Sequence, residues 1–295
     1  MTVAVETVGI VEAGGDVAAA LDTIARRLKA AGIGSARLDA RLLVGAATGE
    51  TAAGLIARPE RRLSAPEAEA LSTLAARRGV REPMAHILGV REFWSLDFEV
   101  SDSVLTPRPD SETIIEAACE YFPAAERQIR VLDLGTGSGC LLLALLHEFP
   151  MASGLGVDIS PAAVALARRN AEKLGLGARS EFIVGDWSSA IGRRFELVLS
   201  NPPYIASGEI EGLEPEVARY EPLGALDGGT DGLDAYRALF PLTAQVLAPG
   251  GIVLFEMGAG QDTEICSLAA AEGFEIAGLR ADITGVPRVA ILRHP

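Results

Sequence analysis

Downstream of Arg130 the chain alternates short apolar runs with helical stretches, and this alternation restricts the fold more than any other feature. The runs are Val131 to Leu134, Gly154 to Val157, Phe182 to Val184, Leu197 to Leu199 and Ile252 to Phe255. Helical segments near Leu141 to Phe149, Pro161 to Leu174 and Leu233 to Leu247 lie between them. Continuous apolar runs of this kind are strands buried on both faces, so the pattern predicts an α/β domain with a mostly parallel sheet covered by helices. The tail, Phe274 to Leu279 and Arg288 to Leu292, adds two more strands and brings the expected sheet to seven.

Open sheets of this class bind ligands beyond the carboxyl ends of their strands, and the chain places its chemistry there. Asp133-Leu134-Gly135-Thr136-Gly137-Ser138-Gly139 joins the first strand to its helix, and glycines at alternate positions let the backbone approach a ligand and turn into the helix. The third glycine follows two residues after the second, not three as in the G-x-G-x-x-G of dinucleotide folds. This form resembles motif I of the class I S-adenosylmethionine-dependent methyltransferases. Asp158, ending the second strand, is placed to accept two ribose hydroxyls. Asp186 and Trp187, ending the third, are placed to bond an adenine amino group and cover its ring. Taken singly, each is more often a helix cap or a core aromatic. On three successive strand ends they point together to a nucleoside cofactor.

The fourth strand closes with Asn201-Pro202-Pro203-Tyr204. Proline fixes φ and carries no N–H, so this strand end presents rigid, unpaired carbonyls. Alone, the tetrapeptide is compatible with a plain Pro-Pro turn. Beside a methyl donor it becomes an amide clamp, in which the Asn201 side-chain oxygen and the Pro202 carbonyl accept the two N–H groups of a substrate amide and Tyr204 stacks on its plane. An amide nitrogen is a weak nucleophile, so rate must come from orientation and from hydrogen bonds that strengthen as charge develops.

The N-terminal part reads differently. Val17, Leu21, Ile24 and Leu28 recur at helical spacing, Leu38, Leu42 and Leu43 mark one side of a second helix from Ser35, and a short third begins at Thr51. Ser64-Ala65-Pro66-Glu67 is a capping box opening a fourth helix to Gly79. The expected organisation is a helical substrate-recognition domain over residues 1–85, a β-hairpin linker over 86–109 and a methyltransferase domain over 110–295. In the linker Trp94, Leu96, Phe98 and Val100 alternate with polar residues as in a half-buried strand. Asp110-Ser111-Glu112 is expected to cap the next helix.

Charge excludes one class of partner. Lys and Arg total 26 against 40 Asp and Glu, a formal charge of −14, which argues against a sequence-independent grip on a phosphate backbone. Cys119, Cys140 and Cys266 are far apart in apolar segments and are expected as buried free thiols, and His86, His147 and His294 show no metal-ligand spacing, so no metal is expected. No apolar run reaches the roughly 18 residues of a bilayer span, and the start Met1-Thr2-Val3-Ala4-Val5-Glu6 lacks the basic residues of a signal peptide. The expectation is a cytoplasmic monomer away from the membrane.

Further stretches carry a closer resemblance. Pro83-Met84-Ala85-His86-Ile87-Leu88-Gly89, Thr106-Pro107-Arg108-Pro109-Asp110-Ser111-Glu112, Tyr220-Glu221-Pro222 with Ala225-Leu226-Asp227-Gly228-Gly229, Glu256-Met257-Gly258 with Gln261, and Gly285 with Arg288 join Gly135 to Gly139 and Asn201 to Tyr204. Together they resemble the HemK/PrmC-type protein-(glutamine-N5) methyltransferases over nearly the whole chain. That family modifies the glutamine of the Gly-Gly-Gln motif in class I peptide chain release factors. The resemblance implies a Rossmann-like class I methyltransferase fold with S-adenosylmethionine held by Gly135, Thr136, Gly137, Ser138, Gly139, Asp158, Trp187 and Asn201. It implies that Asn201, Pro202, Pro203 and Tyr204 hold the substrate glutamine and that the N-terminal helices help dock the release factor. His86 stands where the family often has tyrosine, and Ser111 where it often has threonine. The rival substrates are a glutamine of a large-subunit ribosomal protein and the adenine amino group of DNA, whose methyltransferases share the tetrapeptide. The acidic charge and the lack of an added basic region speak against DNA. The loop from Ala206 to Asp231 is long for a connection beside the tetrapeptide and is expected to act as a lid.

Overall fold

A computed structural model describes residues 9–123, 127–187 and 191–294. The chain divides into two compact units, one running to Gly89 and taking in Glu214–Tyr220, the other comprising Val90–Leu213 and the chain from Glu221 onward.

The first unit is helical: α1 (Val17–Ala30), α2 (Ala36–Thr48), α3 (Ala52–Ala57), α4 (Ala65–Gly79) and α5 (Met84–Leu88). Asp16, Thr51 and Ser64 cap α1, α3 and α4 through their side chains, and Ser64 with Glu67 completes a reciprocal capping box. In α2 the inward face differs from the expected one. Leu38 and Leu42 are 57% and 42% exposed, whereas Ala36, Asp39, Ala40, Leu43 and Val44 are buried. The reason is an ion pair: Asp39 receives the Arg78 guanidinium at 2.7 Å, both side chains nearly solvent-free. A carboxylate on the core side is tolerated only when so paired, and its partner lies on another helix. Arg78 also contacts Glu216 at 2.8 Å, and Arg81 contacts both Glu214 and Glu216. The Tyr220 hydroxyl donates to the Val80 carbonyl.

The second unit opens with a hairpin, β1 (Val90–Phe93) and β2 (Leu96–Glu99). Trp94 therefore belongs to the turn, not to a strand as its alternation suggested. Trp94 and Ser95 both adopt positive φ, 52° and 58°, unusual for side-chain-bearing residues. Hydrogen bonds hold them there. Trp94 donates its backbone N–H to Glu112 Oε1 and its indole N–H to Glu148 Oε1, and Ser95 N–H bonds Glu92.

The remaining elements are α6 (Glu112–Tyr121), β3 (Arg130–Leu134), α7 (Cys140–Glu148), β4 (Ser153–Asp158), α8 (Pro161–Lys173), β5 (Ser180–Val184), β6 (Phe195–Ser200), α9 (Pro215–Ala218), which is part of the first unit, α10 (Asp234–Val246), β7 (Leu247–Glu256), α11 (Asp262–Ala271), β8 (Glu275–Ala281) and β9 (Pro287–Arg293). Seven strands form one sheet in the order β5-β4-β3-β6-β7-β9-β8, parallel except for β9. Two apolar clusters cover its faces, one built on Leu141 to Leu146 with Ile114 and Ile115, the other on Tyr236, Leu239 and Phe240. The strand order reverses between β3 and β6, and at such a switch point the two following loops diverge to leave a crevice.

The 206–231 stretch contains short helical turns at Ser207–Gly212, Pro215–Ala218 and Leu223–Ala225. The three cysteines are free but partly exposed, not buried as expected. Among the described residues, no helix is long and apolar enough to cross a membrane.

Candidate active site

A cavity of about 610 Å³ opens in the second unit at the switch point, within the size range of small-molecule sites. Register explains what meets there. Leu134 pairs with Val157 on one side and Ser200 on the other, so Gly135, Asp158 and Asn201 all leave the sheet at one level. The Ser200 hydroxyl donates to the Leu134 carbonyl at 2.6 Å, tying the two central strand ends together.

The glycine loop is held by its immediate neighbours. Gly135, Gly137 and Gly139 all have positive φ, which side chains resist. The Gly135 and Thr136 N–H groups both reach the Val157 carbonyl at 2.9 Å, and the Gly137 N–H donates to Asp158 Oδ2 at 2.8 Å. Asp158 Oδ1 accepts from the Ser160 N–H. Beneath the loop, Asp133 is fully buried and accepts from the Thr136 hydroxyl at 2.7 Å. Burial pushes its pKa up to about 7, with the Thr136 bond opposing and the Asp158 charge adding to the rise. Asn170 of α8, wholly buried, donates to the Ser138 and Glu99 carbonyls and accepts from the Glu99 N–H. Sequence reading did not single it out, since a helical asparagine carries no pattern.

Of the expected site residues, Gly135, Thr136, Gly137, Ser138, Asp158, Asp186, Trp187, Asn201 and Pro203 line the cavity. Gly139, Pro202 and Tyr204 do not. A Cβ on Gly139 would lie 3.2 Å from both Ala167 and Leu143, so this glycine serves the close packing of α7. Pro202 is buried. Tyr204 packs against the second core cluster, its hydroxyl donating to Glu256 Oε1 at 3.3 Å and its carbonyl accepting from Gln261 Nε2 at 2.9 Å. A buried tyrosine hydroxyl needs a partner, and this one lies away from the cavity.

The tetrapeptide is thus held by residues remote in sequence. Asn201 Nδ2 donates to Ser111 Oγ at 3.0 Å. Ser111 does not cap α6 with its side chain, as Asp110-Ser111-Glu112 suggested: its backbone is helical rather than extended, and its hydroxyl serves Asn201 instead. Gly228 and Gly232 press against the Pro203 and Tyr204 carbonyls, so that added Cβ atoms would stand 2.8 and 2.4 Å from those oxygens. Glu221 accepts from the Thr106 N–H and from Arg108, fixing the Ser103 to Arg108 wall of the cavity. Glu221, Gln261 and Ser111 lie in stretches the resemblance covers, but no role in the site was legible for them.

The residues suit a nucleoside linked to a charged amino acid. The cavity joins a glycine cradle, the Asp158 carboxylate, the Trp187 ring, and a Ser138 hydroxyl that is buried with no hydrogen-bond partner among the described residues, a polar group such a ligand would satisfy. Among the described residues no cluster of His, Cys, Asp and Glu could hold a metal ion.

Comparison with known proteins agrees with this geometry. Residues 19–89 match the PrmC N-terminal domain and residues 125–274 a methyltransferase domain. The chain is 47% identical over 283 residues to the release factor glutamine methyltransferase of Bradyrhizobium diazoefficiens, covering 95% of each chain. It is 46% identical over 274 residues to the release factor glutamine methyltransferase of Rhodospirillum rubrum, covering 93% of this chain and 84% of that one. The solved hMettl16 catalytic domain shares the fold, with a TM-score of 0.56 at 14% identity over 75% of this chain and 81% of that one. Identity of this extent, from the N-terminal helices through the sheet domain, makes the chain a member of the release factor glutamine methyltransferase family.

Proposed function

We propose that this enzyme transfers a methyl group from S-adenosylmethionine to the side-chain nitrogen (N5) of the glutamine in the Gly-Gly-Gln motif of class I peptide chain release factors. The observation that carries the reading is the placement of Asn201. It lines the same cavity as the glycine loop and Asp158, and its Nδ2 is already committed to Ser111, which leaves Oδ1 to accept a substrate N–H. The relatives named above supply the identity of the substrate, and its work at the ribosome implies a cytoplasmic setting.

When bound, the sulfonium supplies an electrophilic methyl group on a neutral thioether leaving group. Gly135 to Ser138, Asp158, Asp186 and Trp187 hold it, with Asp158 taking the ribose hydroxyls. Asn201 Oδ1 accepts an N–H of the substrate amide and turns its nitrogen lone pair toward the methyl. Pro202, buried and off the cavity lining, and Pro203 keep this strand end rigid and free of backbone donors, so the clamp favours an NH2 group. The Asn201 hydrogen bond gains strength as the nitrogen becomes positive, and the methylated nitrogen then loses a proton to solvent. Tyr204 anchors the clamp rather than stacking on the substrate. The helical unit is assigned release factor docking, with exposed Leu38 and Leu42 on α2 as its apolar contacts.

The test is incubation with labelled S-adenosylmethionine and, in parallel, a class I release factor, its Gln-to-Asn variant, ribosomal proteins and duplex DNA. Label should enter only the release factor carrying the glutamine. Label in DNA, in a ribosomal protein instead, or in the variant would overturn the reading.

A further inference from the structure

Glu256 ends β7 in the core, 1% exposed, and no step described above uses it. Its Oε1 accepts from the Tyr204 hydroxyl, while Oε2 is buried and has no hydrogen-bond partner among the described residues. The Ser111 hydroxyl sits against the same carboxyl and is the group that most strongly favours its ionised form. Ser111 Oγ is also the acceptor for Asn201 Nδ2. Glu256 thus holds Tyr204 directly and keeps an open acceptor near Ser111, which in turn holds Asn201.

The polarity of this arrangement matters. A carboxamide can turn end for end with little change of shape, so its partners decide whether oxygen or NH2 faces the cavity. An ionised carboxylate only accepts. Ser111 has one proton, and if it gives that proton to Glu256 Oε2 it can only accept from Asn201. Asn201 Oδ1 is then left for the substrate.

We propose that Glu256 is the positioning residue of the amide clamp, acting through Ser111 to fix the direction of the Asn201 carboxamide and through Tyr204 to hold the end of the tetrapeptide. The proposal rests on the glutamine-methylation reading for its effect on turnover. Its consequence for pH follows from burial, which pushes the Glu256 carboxyl up to about 7. The groups around it are Ser111 and Asp110 before α6, Tyr204 after β6, Arg288 on β9 and Cys140 at the start of α7. Tyr236 of α10 donates to the Glu256 carbonyl oxygen. Ser111, Tyr204 and Arg288 favour the ionised form and Asp110 opposes it. A protonated Glu256 can donate to Ser111 Oγ, whose own proton then turns to Asn201 Oδ1, and the clamp is reversed. The active form is the ionised one, gained as pH rises through about 7.

Nitrogen-15 NMR of the Asn201 side-chain NH2 group, in the full chain and assigned by its loss in Asn201→Ala, reads this directly. Its signals should titrate at about pH 7 in the wild type and not at all in Glu256→Gln. In steady-state assays Glu256→Gln and Ser111→Ala should each lower kcat roughly 10- to 100-fold, as loss of a residue behind a catalytic contact does. The cofactor Kd should not move, and Ser111→Thr, which keeps the hydroxyl, should recover most of kcat. Asn201 signals that ignore pH in the wild type, equal loss in Ser111→Ala and Ser111→Thr, or cofactor affinity falling in step with kcat would overturn the proposal. A wild type that methylates no release factor defeats the functional reading instead, and the NMR titration still decides the positioning role.

Discussion

The glycine loop after β3 and the tetrapeptide after β6 leave the sheet side by side, Leu134 paired with Ser200, yet they are held in place by different means. The loop is held mainly by β4 next to it: its N–H groups go to the Val157 carbonyl and the Asp158 carboxylate. The tetrapeptide is held by side chains from 52 to 90 residues away, Glu256 on Tyr204 and Ser111 on Asn201. On the proposed function, donor binding is a property of two adjoining strand ends, whereas acceptor positioning depends on the folded unit as a whole. The two functions should come apart under mutation.

Asn201→Ala should show the largest effect. Removing the acceptor leaves the substrate amide misaligned, and a single preorganised hydrogen-bonding group of this kind contributes roughly 10²- to 10³-fold in kcat. Cofactor binding, measured by calorimetry, should persist. If affinity collapsed while turnover at saturation survived, the division of labour would be wrong. Asp158→Ala should do the reverse. It removes a charged acceptor and frees the Gly137 N–H, costing about 1.5 to 3 kcal/mol, or roughly 10- to 100-fold in cofactor Kd. At saturating cofactor kcat should stay near the wild-type value, and a kcat loss exceeding the Kd change would contradict the comparison.

Gly232→Ala strains the acceptor half from behind. The new Cβ would stand 2.4 Å from the Tyr204 carbonyl oxygen, at a φ of +77°, a conformation that costs a side-chain-bearing residue about 1 to 3 kcal/mol. Thermal unfolding should shift down, and kcat should fall more than cofactor affinity, by roughly two- to tenfold if half of that strain reaches the clamp. An unchanged kcat would show that the tetrapeptide tolerates displacement.

The same contrast explains what could be read from sequence. The parallel sheet was legible because apolar runs separated by helices admit few other arrangements. The glycine loop and Asp158 were legible because each follows a strand and their meeting is dictated by the order of strands. The face of α2 was misread because Asp39 is buried by Arg78, 39 residues on, and polarity alone put Asp39 outside. Ser111 looked like a helix cap because its neighbours are typical of one. Only the folded register reveals that its hydroxyl meets Asn201, 90 residues away. Glu256 stood in a stretch that carries the family resemblance, but no role was legible for it, since a carboxylate ending an apolar strand reads as the edge of the core. In each case the misread residue is polar and buried, and its energetics depend on a partner that no local pattern identifies.

Gln261 offers the smallest and most discriminating test. Its Oε1 accepts from the Gly258 N–H and its Nε2 donates to the Tyr204 carbonyl, each at 2.9 Å. Gln261→Ala removes these two neutral hydrogen bonds, and a longer one from Nε2 to the Gly232 carbonyl at 3.5 Å, at a half-buried position, each worth about 0.5 to 1.5 kcal/mol. Part of that loss falls on the stability of the turn, so a decrease of only a few-fold in kcat is expected, with no change in cofactor Kd. Gln261→Glu separates the two bonds, because a carboxylate still accepts from Gly258 but cannot donate to Tyr204 and sets a charge against its carbonyl. If the Tyr204 bond steadies the clamp, Gln261→Glu must lose at least as much kcat as Gln261→Ala while keeping more of the thermal stability. If instead kcat follows stability in both variants, Gln261 serves only the turn, and the hold on the tetrapeptide reduces to Ser111, Glu256 and the glycines behind it.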